Sequence, residues 1–280
     1  MSMNCLKPKM AIWNKETGVF KLINSDDLES IYRNSNKNYV PLKIRCGKCE
    51  PCNLLKSQDW TKRILCEMKY FKYSYFITLT YDNYHLRDIN TRDIQLFIKK
   101  LRKKIDRKLK YICCGEYGSE TKRPHYHMIL LSDYEFVPPE WRYNDNTFVC
   151  SELEKIWQNG NVRISNDVNE RCIKYTLKYT LKNVGESKVF LYSKKIGYTW
   201  FEENKEDIKN YCGFYSKNGK FENPPLYFIR KMKNSDDFND FLWYDDFNKN
   251  RLGDTIIDFN DILASKFYEE KKKKKGKGIL

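Results

Sequence analysis

Hydrophobic and polar positions along this chain follow two periods, one near 3.6 and one of 2, and the switches between them outline a folded core. Leu54 to Tyr70 places Leu55, Trp60, Ile64 and Met68 at helical spacing, which predicts a helix just after Cys52. Tyr73 to Tyr81 alternates instead, with Phe76-Ile77-Thr78-Leu79-Thr80 at its centre, as a half-buried strand does. Thr91 to Ile105 returns to the helical period, with Ile94, Phe97, Ile98 and Leu101 on one apolar face and Thr91 in position to cap it. A short strand is expected from Lys110 to Glu116. A polar hairpin turn follows over Gly118 to Arg123, and then a second strand as far as Leu131. Pro138-Pro139 opens a loop. Ser151 to Trp157 has helical character, with Ser151 and Glu154 in capping-box spacing and Gly160 as its stop. Asn161 to Ser165 is expected as an edge strand and Asp167 to Val184 as a longer helix.

The order strand, helix, strand, strand, helix, strand, helix predicts an α+β fold, a central antiparallel sheet with helices on one face in the manner of an RRM-like palm. Four regions result. Residues 1–70 form an N-terminal Cys-rich segment with a helix, and residues 71–185 form the core. Residues 186–263 make a C-terminal extension with a less readable pattern, and 264–280 a basic tail expected to be disordered, carrying Lys271 to Lys275 and Lys277. There is no internal repeat. A Walker P-loop pattern is also absent, which argues against a fused helicase.

Composition narrows the partner. The 280 residues carry a net charge of +15, which points to a polyanion and most simply to nucleic acid. No run is long enough for a membrane helix and the N-terminus has no signal-peptide core, so the expected location is the cytoplasm, with no membrane partner. In that reducing compartment the ten cysteines are expected as thiols or metal ligands rather than disulfides.

The chemistry concentrates in Arg123-Pro124-His125-Tyr126-His127-Met128-Ile129-Leu130-Leu131. Residues two apart on a strand face the same way, so His125 and His127 stand side by side while Tyr126 and Met128 face the opposite side. The chain has only three histidines, the third being His85, so a further ligand must be of another type. If the Gly118–Arg123 turn makes the flanking strands antiparallel neighbours, Glu116 reaches the pair. Glu120, in the turn itself, is the alternative. One carboxylate and two imidazoles suit Mn²⁺ or Mg²⁺, with the imidazoles favouring tighter Mn²⁺ binding.

The helix from Asp167 carries a second cluster. At about 100° per residue, Ile173, Leu177, Leu181 and Val184 share one face, and Tyr175, Lys178, Tyr179 and Lys182 the opposite one. Tyr175 and Tyr179 then lie about 6 Å apart along the axis, beside two lysines. At the end of the Thr91–Ile105 helix, Arg102 and Lys103 belong to a basic cluster suited to contacting a DNA backbone.

Glu116, the His125-Tyr126-His127 triplet and Tyr175-Thr176-Leu177-Lys178-Tyr179 together resemble the motifs of the HUH endonucleases. Two tyrosines with a lysine just before the second are similar to the arrangement in rolling-circle replication initiators of microviruses. Cys46-Gly47-Lys48-Cys49 before a Trp-bearing helix resembles the gokushovirus branch, and Phe76 to Thr80 the family's first motif. The likeness runs from about Arg45 to Lys182. It implies that Glu116, His125 and His127 hold a divalent ion at the scissile phosphate. It also implies that Tyr175 and Tyr179 attack in alternation, leaving a 5′-phosphotyrosine and a free 3′-OH, and that Lys178 or Lys182 favours the phenolate or holds the phosphate. The implied partners are single-stranded DNA at a replication origin and host replication proteins. A transposase or relaxase of the same chemistry, or a noncatalytic zinc-stabilised DNA-binding protein, are the competing readings.

Cys46, Cys49 and Cys52 form C-x-x-C-x-x-C, with Gly47 suited to a tight metal-binding turn. A tetrahedral Zn²⁺ site needs a fourth ligand, for which Cys5 and Cys66 are the candidates.

Overall fold

A computed structural model describes residues 5–14, 20–24, 39–118, 120–136, 142–144, 147–181, 189–210, 215–217 and 220–233. Among these, two compact units meet in sequence between Cys52 and Asn53. The first contains strands β1 (Lys9–Asn14), β2 (Phe20–Ile23) and β3 (Tyr39–Ile44), paired antiparallel in the order β2-β1-β3. None of these strands was expected from the sequence. Helix α1 (Glu50–Met68) starts in this unit and continues into the next, with Glu50 and Pro51 in its first turn, where an acid and a missing N–H are both tolerated.

The second unit is built on a seven-stranded antiparallel sheet. Its strands are β4 (Tyr73–Thr80), β5 (Leu109–Tyr117), β6 (Pro124–Ser132), β7 (Arg142–Asn144), β8 (Thr147–Val149), β9 (Val162–Ser165) and β10 (Phe190–Tyr192). They run in the order β10-β5-β6-β4-β9-β8-β7. The helices are α2 (Thr91–Ile105), α3 (Ser151–Trp157), α4 (Glu170–Leu181), α5 (Tyr198–Asn210) and α6 (Leu226–Lys233), and β11 (Tyr215–Lys217) pairs with β12 (Lys220–Glu222). The expected α+β class and antiparallel sheet are present.

Helices cover both faces of that sheet rather than one. Ile77, Leu79, Met128, Leu130, Val162 and Ile164 pack with Ile94, Phe97 and Leu101 of α2 and with Leu153, Ile156 and Trp157 of α3. Ile112, Ile129 and Leu131 point the other way and pack with Ile64 of α1 and Ile173 and Leu177 of α4. The cause lies in β6, whose run from Tyr126 to Ser132 is buried at every position, so each face of the strand needs an apolar partner.

Several local expectations are replaced by neighbouring residues. Asn90, not Thr91, caps α2, accepting from the Arg92 N–H at 2.8 Å. Glu154 does not close a capping box with Ser151. Its Oε1 accepts instead from the Val162 N–H at 3.1 Å, and Cys150 is the N-cap, with no side-chain bond to the helix. The stop of α3 is Gln158, at φ 61°, rather than Gly160. Strand β9 is internal, because β8 and β7 extend the sheet beyond it. Asn169 Oδ1 accepts from the Arg171 and Cys172 N–H groups, so α4 begins later than Asp167. Residues 182–184 lie outside the described residues, as does the basic tail.

Gly160 has another task. Its φ is +145°, and a Cβ there would sit 2.4 Å from both Thr80 O and Asp82 N. The bends on either side pair with the end of β4, through Thr80 N–H to Asn161 O and Asp82 N–H to Asn159 O, each at 3.0 Å. Gly160→Ala should therefore cost about 2 kcal/mol or more, from combined strain and collision. A lowered urea midpoint checks this.

Candidate metal centre and nucleophile

The hairpin register builds the centre. Glu116 on β5 is the direct cross-strand partner of His125 on β6, and Cys114 is the partner of His127. The three side chains project from the same face, and both Nε2 atoms lie 2.8 Å from Glu116 Oε1. The imidazole rings stand nearly perpendicular, with centroids 4.9 Å apart.

Each ring is held by its other nitrogen. His125 Nδ1 lies 3.1 Å from the Arg123 carbonyl, and His127 Nδ1 lies 3.2 Å from Thr78 Oγ1. Thr78 is the cross-strand partner of His127 on β4, so three adjacent strands fix the two rings. In the neutral form, Nδ1–H donation to these oxygens leaves each Nε2 lone pair aimed at one point beside Oε1. Glu116 Oε2 is buried and has no hydrogen-bond partner among the described residues. An orphaned carboxylate oxygen beside two converging ring nitrogens fits a divalent cation, which would satisfy all three groups.

Electrostatics follow the same geometry. Burial alone would raise the Glu116 carboxyl, but the hydrogen bonds and charge of the two imidazoles hold it below its ordinary value. Burial works against a charged His125, yet its bonds to Glu116 and the Arg123 carbonyl lift it above the usual imidazole value. His127 is more deeply enclosed. Burial dominates there and pushes it down, toward the neutral form that ligates metals.

Tyr175 stands next to this group. Its ring meets that of His127 edge-on at 5.2 Å and Phe76 at 6.3 Å, while Phe76 stacks on His127 at 5.4 Å. It is 42% exposed, whereas Ile173 and Leu177 on the same helix are buried, as the helical spacing predicts. Tyr179 and Lys178 follow on α4, but their side chains lie outside the described residues, as does Lys182 altogether. Glu120 is exposed in the turn and does not join the ligand group.

Arg102 and Lys103 are not brought to this centre. They occupy the last turn of α2, which packs on the opposite face of the sheet, where the Arg102 guanidinium lies 5.9 Å from the Tyr111 ring. A DNA contact by these residues would be made on a separate surface. Two other groups on the face that carries the histidines escaped the sequence reading. One is Thr78, which orients His127. The other is the exposed Arg163 on β9, the cross-strand partner of Thr78. The sequence signal for both was the strand alternation, but only the pairing of β9 with β4 shows that they share a row with His127.

A second group of possible ligands lies in the first unit, where Cys5, Cys46, Cys49 and Cys52 place their sulfurs within 4.8 Å of one another. Cys5 is thus the fourth member, and Cys66, buried in α1, is not. No disulfide joins the described cysteines. Burial tends to raise the Cys49 thiol, but donated hydrogen bonds bring it down to about 6, and burial pushes Cys52 up to about 12.

Comparison with known proteins places the same part of the chain in a wider group. Residues 74–184 match the model of a family of replication-associated proteins typified by ORF2. That span begins in β4 and ends just past α4, so it contains Thr78, all three ligand candidates and both tyrosines. Replication-associated protein ORF2 of Spiroplasma virus 4 is 28% identical over 301 aligned residues, covering 96% of this chain and 92% of its own length. The chain is thus similar to replication-associated proteins of microviruses. Among them, replication-associated protein VP4 of Bdellovibrio phage phiMH2K is 27% identical over 230 residues, covering 73% of this chain and 69% of its own. Replication-associated protein ORF4 of Chlamydia phage 1 is 29% identical over 153 residues, covering 50% and 38% respectively. No solved structure matches.

The coupling of Glu116 to the imidazoles is measurable in this chain without any metal. Glu116→Gln removes the charge that favours imidazolium on both rings, while burial continues to oppose it. Both imidazoles should then titrate at lower pH. NMR titration of the ring protons would show this, and unchanged midpoints would contradict the contact.

Proposed function

We propose that this chain is a metal-dependent DNA nickase and strand transferase that initiates rolling-circle replication of a single-stranded phage genome. The observation that carries the reading is the convergence of His125 Nε2, His127 Nε2 and Glu116 Oε1, with the Tyr175 ring against His127. The ligand set of two imidazoles and one carboxylate favours Mn²⁺, with Mg²⁺ as the abundant alternative. A divalent ion bound there supplies positive charge against the non-bridging oxygens of a scissile phosphate.

The protein's own groups do the rest. Tyr175 presents its hydroxyl from a helix exposed to solvent, so a single strand can approach it. Its oxygen bonds to phosphorus while the bond from phosphorus to the 3′ oxygen breaks, and that oxygen leaves as a 3′-OH after taking a proton. The product is a 5′-phosphotyrosine, whose ester retains the energy of the broken link. A 3′-OH can later reverse the step without ATP. Tyr179 serves as the second nucleophile for cutting and rejoining after one round of synthesis. Lys178 and Lys182 lower the cost of forming the phenolate, whose ordinary pKa is about 10. The substrate is a single-stranded segment of a replication origin, and host polymerase machinery extends the new 3′ end. Among the described residues no helix is long and apolar enough to cross a membrane, and we place the reaction in the host cytoplasm.

The deciding experiment incubates the chain with an end-labelled single-stranded origin oligonucleotide and Mn²⁺. The wild-type chain should form a covalent adduct that survives denaturing electrophoresis. Tyr175→Phe with Tyr179→Phe should abolish the adduct while DNA binding persists. If cleavage survives the double change, the tyrosine mechanism is excluded. If neither chain cleaves but both bind, the protein is a noncatalytic DNA-binding module. A separate expectation concerns Thr78→Val, which leaves all three ligands intact but frees the His127 ring. It should weaken Mn²⁺ binding roughly 10- to 100-fold, with adduct formation restored at higher Mn²⁺. Calorimetric titration measures the first effect and the oligonucleotide assay the second.

A further inference from the structure

The four-cysteine group is independent of the nicking chemistry. Its sulfur separations are 3.7 Å for Cys5–Cys49, 3.9 Å for Cys46–Cys52 and 3.4 Å for Cys49–Cys52. A regular tetrahedron with metal–sulfur bonds of about 2.3 Å has edges of about 3.8 Å. The described sulfurs already sit near those corners. Backbone N–H groups point at them as well. Lys48 and Cys49 donate to Cys46 Sγ at 3.4 and 3.3 Å, and Cys46 donates to Cys5 Sγ at 3.3 Å. Gly47, at φ 72°, makes the turn that lets two successive amides reach one sulfur.

The position of the group matters as much as its shape. Cys5 precedes β1 and Cys46 follows β3, and these strands pair from Lys9 opposite Ile44 through Asn14 opposite Tyr39. The sulfurs therefore gather at the end of the ladder where the chain enters β1 and leaves β3. Cys52 lies in the first turn of α1. Among the described residues of this unit only Ala11, Ile12 and Cys52 are buried, and Leu6 and Leu22 are 69% and 57% exposed. Small units are often stapled by a metal or by disulfides, and the four sulfurs are placed to do this here.

We propose that Cys5, Cys46, Cys49 and Cys52 bind one Zn²⁺ as a tetrathiolate, and that this ion is what folds the N-terminal unit. The clamp joins the start of β1, the end of β3 and the first turn of α1 at a single point. The closed set of four sulfurs is that of a structural zinc site, with no open position for a substrate. Its removal releases the first unit, and the second keeps its own core.

The test uses the full-length chain. Protein purified without chelator should hold about one tightly bound zinc per chain. Exchange with Co²⁺ should give strong sulfur-to-cobalt charge-transfer absorption and the visible bands of a tetrahedral tetrathiolate, which an ion held by Glu116, His125 and His127 does not produce. Cys49→Ser combined with Cys52→Ser should lose those bands, and Glu116→Gln should keep them. Chelation of the wild-type chain should open sites within residues 5–52 to a protease while a fragment beginning near Asn53 survives. Two disulfides found by mass spectrometry, four freely alkylated thiols in the purified protein, or thiolate bands that persist in the double variant would each overturn the proposal. So would a proteolysis pattern unchanged by removal of the zinc.

Discussion

The register between β5 and β6 is the constraint on which the candidate centre depends. Glu116 meets a histidine only because the turn after Tyr117 returns the chain with Glu116 opposite His125. A slip of one residue would turn every side chain of β6 to the other face. His125 and His127 would then point toward α2 and α3, and Tyr126 and Met128 toward Glu116. Such a slip is costly because β6 is buried on both sides, and its two sets of apolar residues fit different helices. Packing far from the ligands thus fixes where the ligands are.

The same sheet joins support and chemistry through shared rows. Glu116, His125 and Thr80 form one row of cross-strand partners, and Cys114, His127, Thr78 and Arg163 the next. Thr78 orients a ring from the second row, and the loop around Gly160 fastens the end of β4 beyond the first. On the opposite face, Tyr126 and Tyr81 share a hydrogen bond of 2.9 Å and Tyr81 bonds Asp93 of α2, so the strand that carries the histidines is also tied from beneath. The candidate centre sits on rigid elements, with Tyr175 of α4 against the His127 ring.

The parts of this arrangement that were legible in the sequence are those set by short-range periodicity. His125 and His127 had to share a face because strand side chains alternate. Glu116 could be placed because one short turn links it to them. The buried Ile173 and Leu177 and the exposed Tyr175 followed from helical spacing. What was not legible depends on pairing between distant segments. The contact of Thr78 with His127 spans 49 residues, and Arg163 joins the row only through β9. Cys5 and Cys66 were equally eligible until β1 folded beside β3. Strand β1 went unread because its burial does not alternate, with Ala11 and Ile12 buried side by side. The expectation that helices lie on one face failed because an apolar run such as Met128 to Leu131 can serve two cores at once.

The two nitrogens of His125 face an acidic oxygen and a carbonyl oxygen, both of which accept. That environment favours a proton on each and lifts the ring above the usual imidazole value. An incoming cation needs one of those positions and must expel the proton to obtain it. Loading the candidate centre with a cation would therefore also be an act of deprotonation, and a more acidic medium would compete with the ion for the same lone pair.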